Sequence, residues 1–322
     1  MYTVAAVEYA AFLYLRALSF NTVLAILKAY FDAKVFTKQG LIVHIEELTD
    51  RIPDSSAITA WLKPHRSGYY ALDGTWMKYR GREIVLLILF DVNTLDIVSY
   101  AVATEESEET YRLLLTQSVL AEILPNLQGF FCDGDPGLLK LLKGQFPNIP
   151  IQLCVFHKYS RVGQIIPFYR PKTQVDKDIK QLTEKILFAP SKEEALTAVD
   201  ELQVYAKEHQ ANKKVQEVIG VIKRNLDLLL THYDHPEMSP YNNVLEGFNH
   251  VIKRRTRLMK GFKKPINITR WLKLLMVDWR FHPLMESEFK ERRGKSPLEL
   301  AGVELPDISN WMKFIRRRYP KH

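Results

Sequence analysis

The sequence predicts an α/β chain: a mixed sheet flanked by helices, with a small helical unit before it and a helical insertion within it. Three observations predict this. From Gly68 onward, three β-rich runs follow one another closely, YYALDGTW, EIVLLILFDV and LDIVSYAVAT. Helix and strand signals then alternate through LQGFFCDG, a helix opening near Pro136, and IQLCVF. Between about 173 and 232 only helical patterning remains, as in VDKDIKQLTEKILF and KEEALTAVDELQVYAKEH. Consecutive strands followed by alternating elements build a mixed sheet with helices on its faces.

Taken in order, the apolar stretch from Met1 to Phe20, interrupted by Glu8 and Arg16, reads as an amphipathic helix. It lacks a basic leader, so neither a signal peptide nor a membrane span is expected there. Ser19 is placed to cap FNTVLAILKAYF, a second helix runs through LIVHIEEL, and Asp54 can cap SSAITAWLK. Short helices joined by turns suit a helix-turn-helix DNA reader, and equally a packing or dimerisation module. The turn VNT between the second and third β-rich runs is short enough for an antiparallel hairpin. A helix is expected from Glu108 to about Leu124, and Ser239-Pro240 reads as an N-cap and first-turn proline opening a helix through NNVLEGFNHVIKRR. The order of elements suits an RNase H-like fold. The segments are then 1–67, helical; 68–165, the first part of the core; 166–237, the helical insertion; and 238–322, the last part of the core with basic helices.

Composition narrows the partners. The hydrophobic fraction of 47% and charged fraction of 25% are ordinary for a globular chain and exclude disorder through low hydrophobicity. The net charge of +8 favours a polyanion. That excess is confined to one end, since residues 236–322 hold 19 Lys/Arg against 9 Asp/Glu. The two cysteines, Cys132 and Cys154, imply no disulfide framework and a reducing compartment. A cytoplasmic location is expected, at the nucleoid in a prokaryote or in the nucleus of a eukaryote.

Three carboxylates carry the candidate chemistry. Asp73 follows Ala71-Leu72 in a strand and precedes Gly74, and Asp133 closes the apolar strand GFFCD before Gly134-Asp135-Pro136. An acidic group at a buried strand end is costly unless it is paired or binds a cation. Either aspartate alone reads as an ordinary turn or capping residue. Glu246 changes the balance. Asn242, Glu246, Asn249 and Lys253 fall on one helical face, while Val244, Leu245, Phe248, Val251 and Ile252 occupy the rest. The amides can orient the carboxylate, and the lysine can meet a phosphate. Three carboxylates at a sheet edge suit Mg²⁺ or Mn²⁺, and a pair of such ions suits phosphoryl transfer.

The motifs ALDGTW, FFCDGDPG, CVFH and NNVLEGFNHVIKRR, in this order, resemble the signatures of Mutator-like DDE transposases and their prokaryotic insertion-sequence relatives. The resemblance covers roughly 70–262. It implies that Asp73, Asp133 and Glu246 form the catalytic, metal-binding triad of an RNase H-like core interrupted by a helical domain. It further implies cleavage at terminal inverted repeats, attack of the freed 3′-hydroxyl on target DNA, and action as a homo-oligomer. Many relatives carry a longer N-terminal DNA-binding region, sometimes with a zinc module; no cysteine cluster lies there in this chain. Cys154 and His157 match the family's Cys-x-x-His. Physically they are half a zinc site, and Cys132 alternates to the face opposite Asp133, so a buried Cys154 with His157 hydrogen-bonding near the site or contacting DNA is the expectation. Asp135, before Pro136, reads as a helix cap. The run KRRTRLMKGFKK continues from the helix of Glu246, and its Lys253, Arg254, Arg255, Arg257, Lys260, Lys263 and Lys264 are expected to track DNA phosphates. The cluster Arg316-Arg317-Arg318 fits DNA binding and a solvated terminal helix equally. Competing readings are a domesticated, non-catalytic DNA-binding protein and an RNase H-fold nuclease specific for branched DNA. A glycosidase leaves the basic C-terminal quarter unexplained.

Overall fold

The computed structural model describes residues 3–31, 37–259, 262–287, 289–306 and 310–319, with the side chains of 258 and 259 not described. Four helices come first: α1 (Val4–Leu15), α2 (Phe20–Tyr30), α3 (Lys38–Arg51) and α4 (Ser55–Leu62). Strands β1 (Tyr69–Tyr79), β2 (Arg82–Asp91) and β3 (Ile97–Ala103) follow, then the short helices α5 (Glu108–Arg112) and α6 (Gln117–Ile123). Strand β4 (Gly129–Cys132), α7 (Pro136–Gln145), β5 (Ile151–Leu153) and α8 (Val155–Ile165) alternate. The all-helical stretch comprises α9 (Gln174–Leu187), α10 (Lys192–Glu208), α11 (Lys213–Lys223), α12 (Leu226–Leu229) and α13 (Thr231–Asp234). The chain continues through α14 (Asn243–Met259), α15 (Pro265–Phe281), α16 (Pro297–Leu300) and α17 (Trp311–Arg318). The five strands form an open sheet in the order β3-β2-β1-β4-β5. β2 and β3 are antiparallel, while β1, β4 and β5 run parallel, so the expected mixed α/β class is observed. Among the described residues no helix is long and apolar enough to cross a membrane.

The chain divides into two compact units. One comprises Met1–Gly68, Gly74–Asn126 and Val244–His322, the other Tyr69–Asp73 and Leu127–Asn243. In the first, β2 is buried along Ile84–Phe90 and pairs with β3 from Val85↔Ala103 to Phe90↔Ile97. Asp91 sets the hairpin turn, its Oδ1 accepting the N–H groups of Asn93 and Thr94 at 3.1 and 3.0 Å. Phe248 of α14 packs against Phe90 and stands edge-on to Trp279 of α15, with centroids 5.9 and 4.7 Å away.

A buried ion network ties this unit together. Arg280 is fully buried and donates to both oxygens of Asp96, at 2.7 and 2.8 Å, and to the carbonyl of Ser55 at 2.7 Å. Arg66 donates to the same aspartate at 2.8 Å and to Glu122 at 2.5 Å. Burial alone would raise the Asp96 pKa, but the guanidinium groups of Arg280 and Arg66 outweigh it and hold the carboxyl below its ordinary range.

Several local expectations change in three dimensions. Helix α1 is not simply amphipathic, because Glu8 is buried against Arg316 at 3.0 Å and accepts from Asn310 at 3.1 Å. This pair gives Arg316 a packing role. Ser19 caps α2 through the N–H of Thr22, whereas Asp54 precedes α4 without a side-chain cap and lies 3.6 Å from Lys273. The helix expected over 108–124 breaks in two because Thr116 caps a new start at α6. Ser239-Pro240 opens no helix. The Pro240 carbonyl accepts the N–H of Val155, Ser239 turns its hydroxyl to the N–H of Tyr241, and α14 starts at Asn243.

In the second unit, β4 and β5 are short and wholly buried, α12 and α13 pack on β5, and α8 to α11 pack on one another. Gln152 of β5 is buried and bridges outward: its amide donates to Leu229 at 3.0 Å and its oxygen accepts the N–H of His232 at 2.7 Å. That anchoring joins the end of the helical stretch to the strand beside β4.

Candidate active site

Asp73 and Asp133 meet through strand register. β1 and β4 are parallel neighbours with Tyr69↔Gly129, Tyr70↔Phe130 and Ala71↔Phe131 aligned. Continuing that register two residues past the last aligned pair sets Asp73 opposite Asp133, which lies just beyond the last residue of β4. Neighbouring strands lie about 4.8 Å apart, so two carboxylates so placed repel unless a cation lies between or beside them. Asp73 is only 9% exposed, while Asp133 is exposed past the end of β4. Gly134 follows with φ +96°, a conformation that side-chain-bearing residues rarely adopt. That turn lets Asp133 accept the N–H of Asp135 at 3.2 Å and lets Asp135 cap α7 through Leu138 at 2.9 Å. Replacing Gly134 by Ala is expected to cost about 1–2 kcal/mol of backbone strain, read as a lowered midpoint in urea unfolding; an unchanged midpoint would show that the turn relaxes freely.

His157 stands in the first turn of α8, and the same two aspartates act on it. Its pKa is pushed up to about 9, first by a hydrogen bond with Cys154, against the opposing effect of burial, and then by the Cys154 sulfur and the carboxylates of Asp73 and Asp133. Cys154 is buried at the start of that helix, and its N–H donates to the Cys132 carbonyl at 3.0 Å. Burial pushes the Cys132 thiol far above its ordinary value, with Asp133 adding to the effect.

Glu246 belongs to the other unit, half-buried in the first turn of α14. One turn on, the buried Asn249 accepts the hydroxyl of the buried Thr75 in β1. This bond, with Leu245, Phe248 and Ile252 fully buried on the same helix, fixes the rotation of α14 and therefore the direction of Glu246. Asn249→Ala is expected to cost about 1–3 kcal/mol in chemical unfolding because the buried Thr75 hydroxyl loses this acceptor, and Asn249→Asp, which keeps an acceptor, should lose less. Equal losses in both would assign the cost to packing instead. Asn242 is buried in the second unit, its Oδ1 without a hydrogen-bond partner.

Comparison with known proteins places the chain in a family. The pattern of the family described as "Transposase, Mutator family" matches residues 58–282, well over half of the chain. The chain belongs to the Mutator family of transposases. It is 26% identical over 218 residues to the transposase for insertion sequence element IS406 of Burkholderia multivorans, covering 65% of this chain and 54% of that protein. It is 28% identical over 167 residues to the transposase for insertion sequence element IS1201 of Lactobacillus helveticus, covering 50% of this chain and 42% of that one. The chain thus spans about half the length of the curated relatives it matches.

In this Mutator-family chain the basic run divides. Lys253, Arg254, Arg257, Lys263 and Lys264 are exposed, as a phosphate-tracking face requires, while Lys260 lies outside the described residues. Arg255 corrects the expectation that the whole run faces DNA. It is 4% exposed, its guanidinium lies 3.7 Å from the ring centroid of Tyr14, and it donates to the Leu18 carbonyl at 3.0 Å. Its place seven residues after Phe248, on the same side of α14, turns it inward.

A group of cations that no motif singles out stands beside Asp133. A cleft of about 390 Å³ opens there, walled by Lys158 and Arg161 of α8 and by α11 with the following Arg224. The spacing of Lys158 and Arg161, three apart on one helix after His157, was a usable signal. Arg224 carried none, because only the fold brings it across from α11.

Proposed function

We propose that this chain acts as a DDE transposase, cutting DNA at the ends of an insertion sequence and joining those ends to target DNA. The observation that carries the reading is the equal register of Asp73 and Asp133 at adjacent parallel strand ends, in a chain of this family. The sheet order β3-β2-β1-β4-β5, with an antiparallel β2–β3 pair and parallel β1–β4 and β4–β5 pairs, supports an RNase H-like core.

Asp73, Asp133 and Glu246 are the proposed ligands of a two-metal site. Their carboxylate oxygens are hard donors, which fit Mg²⁺ or Mn²⁺ and not a soft thiophilic ion. Bound there, the ions supply Lewis acidity for phosphoryl transfer. The assignment of Glu246 as third ligand rests on its motif, NNVLEGFNH, and on the fixed rotation of α14. In the first reaction a water oxygen attacks the phosphorus at the element's end. The bond from phosphorus to the 3′ oxygen breaks, and a 3′-hydroxyl and a 5′-phosphate result. In the second, that 3′-hydroxyl attacks a target phosphodiester, so one ester bond forms as another breaks. His157, on which Asp73 and Asp133 both act, orients the aspartates or meets a phosphate oxygen. The exposed Lys253, Arg254, Arg257, Lys263 and Lys264, joined by Lys260, hold the DNA backbone. The helices α1 to α4 are the proposed reader of the terminal inverted repeats, and the active form is a homo-oligomer.

The test is a cleavage and joining assay on the DNA that flanks the reading frame, with Mg²⁺ or Mn²⁺ added or chelated. Metal-dependent cutting followed by joining supports the proposal. Binding without cutting at any metal concentration points instead to a non-catalytic DNA-binding protein, and cutting confined to branched DNA to a structure-specific nuclease.

A further inference from the structure

The cleft beside Asp133 holds a cluster of charges for which the proposed triad has no use. Its floor is the end of β4 and β5, where Asp133 stands exposed. One wall is α8, presenting Lys158 and Arg161, and the other is α11, ending at Arg224. Lys158 joins the two walls: its ammonium donates to the carbonyls of Val221 and Arg224, each at 2.9 Å, at the end of α11. Such carbonyls have no acceptor role left within the helix, and a cation there is favourable. This accounts for Lys158 and gives the cleft a fixed width.

It does not account for the two arginines. Arg161 sits midway along α8, away from any helix terminus, and its guanidinium reaches only Gln164, at 2.8 Å, leaving other donors exposed to the cleft. Arg224 is exposed on the facing wall, and neither arginine forms a salt bridge among the described residues. Gly220, between them on α11, has open space where a side chain would project. Two planar guanidinium groups in one open groove, next to an exposed carboxylate, recognise a chain that carries phosphates and has neutral parts between them. Glu217, also on α11, sets a negative charge in the same groove and limits the depth to which a phosphate is drawn.

We infer that the groove between α8 and α11 is a second DNA-backbone site, in which Arg161 and Arg224 bind phosphates of the strand that passes Asp133. The inference rests on the proposed function and assigns to the helical insertion a direct part in gripping the substrate. It places DNA contacts in this unit, in addition to the basic run that begins at Lys253.

The experiment measures binding of a fluorescein-labelled duplex carrying the DNA end that flanks the reading frame, over a series of salt concentrations, with the full chain. Arg161→Gln with Arg224→Gln is expected to weaken binding and lower the slope of log K against log salt by about 1.8, the release of two counterions. Glu217→Gln is expected to change affinity in the opposite direction and tighten binding. Because all three side chains are exposed, unfolding spectra should match those of the wild type. An unchanged slope in the double variant, with a wild type that binds and cuts, overturns this inference alone. Tighter binding in the double variant, or weaker binding in Glu217→Gln, overturns it as well. A wild type that neither binds nor cuts the duplex overturns the proposed function, and the groove's assignment falls with it.

Discussion

Asp133→Asn is expected to lower metal-dependent DNA cutting by a factor of about 10³ or more, while leaving the unfolding midpoint within experimental error. The loss follows from removing one charged oxygen donor from the proposed metal site; such sites stabilise transition-state charge by several kcal/mol, and each 1.36 kcal/mol is about tenfold in rate. Stability is spared because Asp133 is exposed and the amide is nearly isosteric; its oxygen can still accept the N–H of Asp135. Asp73→Asn and Glu246→Gln should lose as much. Retained cutting in any one of the three, measured with excess Mn²⁺ as well as Mg²⁺, would remove that residue from the triad. A parallel measurement of DNA binding separates loss of chemistry from loss of substrate, since the neutral variants should bind DNA at least as well as the wild type.

The largest effect on stability is expected at Asp96. Replacing it by Ala strands two guanidinium groups in the interior: Arg280 loses both of its bonds to Asp96, and Arg66 loses one of its two carboxylate partners. Breaking a buried pair by removing one partner costs about 3–5 kcal/mol, and here one carboxylate serves two cations. For a marginally stable chain this is a large share of the total. The pH dependence has a definite sign. The Asp96 carboxyl is held below its ordinary range in the folded state. Its contribution is therefore complete above the unfolded value of about 3.9 and is lost as pH falls from there through the lower folded value. Urea midpoints between neutral and acid pH check both statements. A loss below about 1 kcal/mol, or an acid limb that Asp96→Ala leaves unaltered, would show that the network is dispensable.

The fold was legible where local chemistry decides it. The β-rich runs from Tyr69 onward, the hairpin at Asp91 and the cap at Asp135 all declare themselves within a few residues. Asp73 and Asp133 could be singled out as acids at strand ends, but their common level could not, because register is a property of two strands rather than one. Misreadings arose where distant partners outweighed local preference. Ser239-Pro240 has the composition of a helix start, yet the Pro240 carbonyl is taken by Val155, and the helix begins later. Arg255 looks like its basic neighbours until Tyr14 and Leu18, 237 residues earlier in the latter case, fold beneath it. The Arg66-Asp96-Arg280 network was invisible for the same reason, since a charge announces a solvated surface unless its partners are known.

Asp73, Asp133 and Glu246 are proposed to hold the same metal ions. Iron-directed cleavage of the polypeptide tests it most directly: Fe²⁺ replaces Mg²⁺, ascorbate and peroxide are added, and the fragments are mapped by mass spectrometry. Cuts clustered near 73, 133 and 246, suppressed by excess Mg²⁺ and absent from Asp133→Asn, are the predicted result. Cuts near 73 and 133 that never include 246, or cuts confined to other parts of the chain, would contradict the shared site.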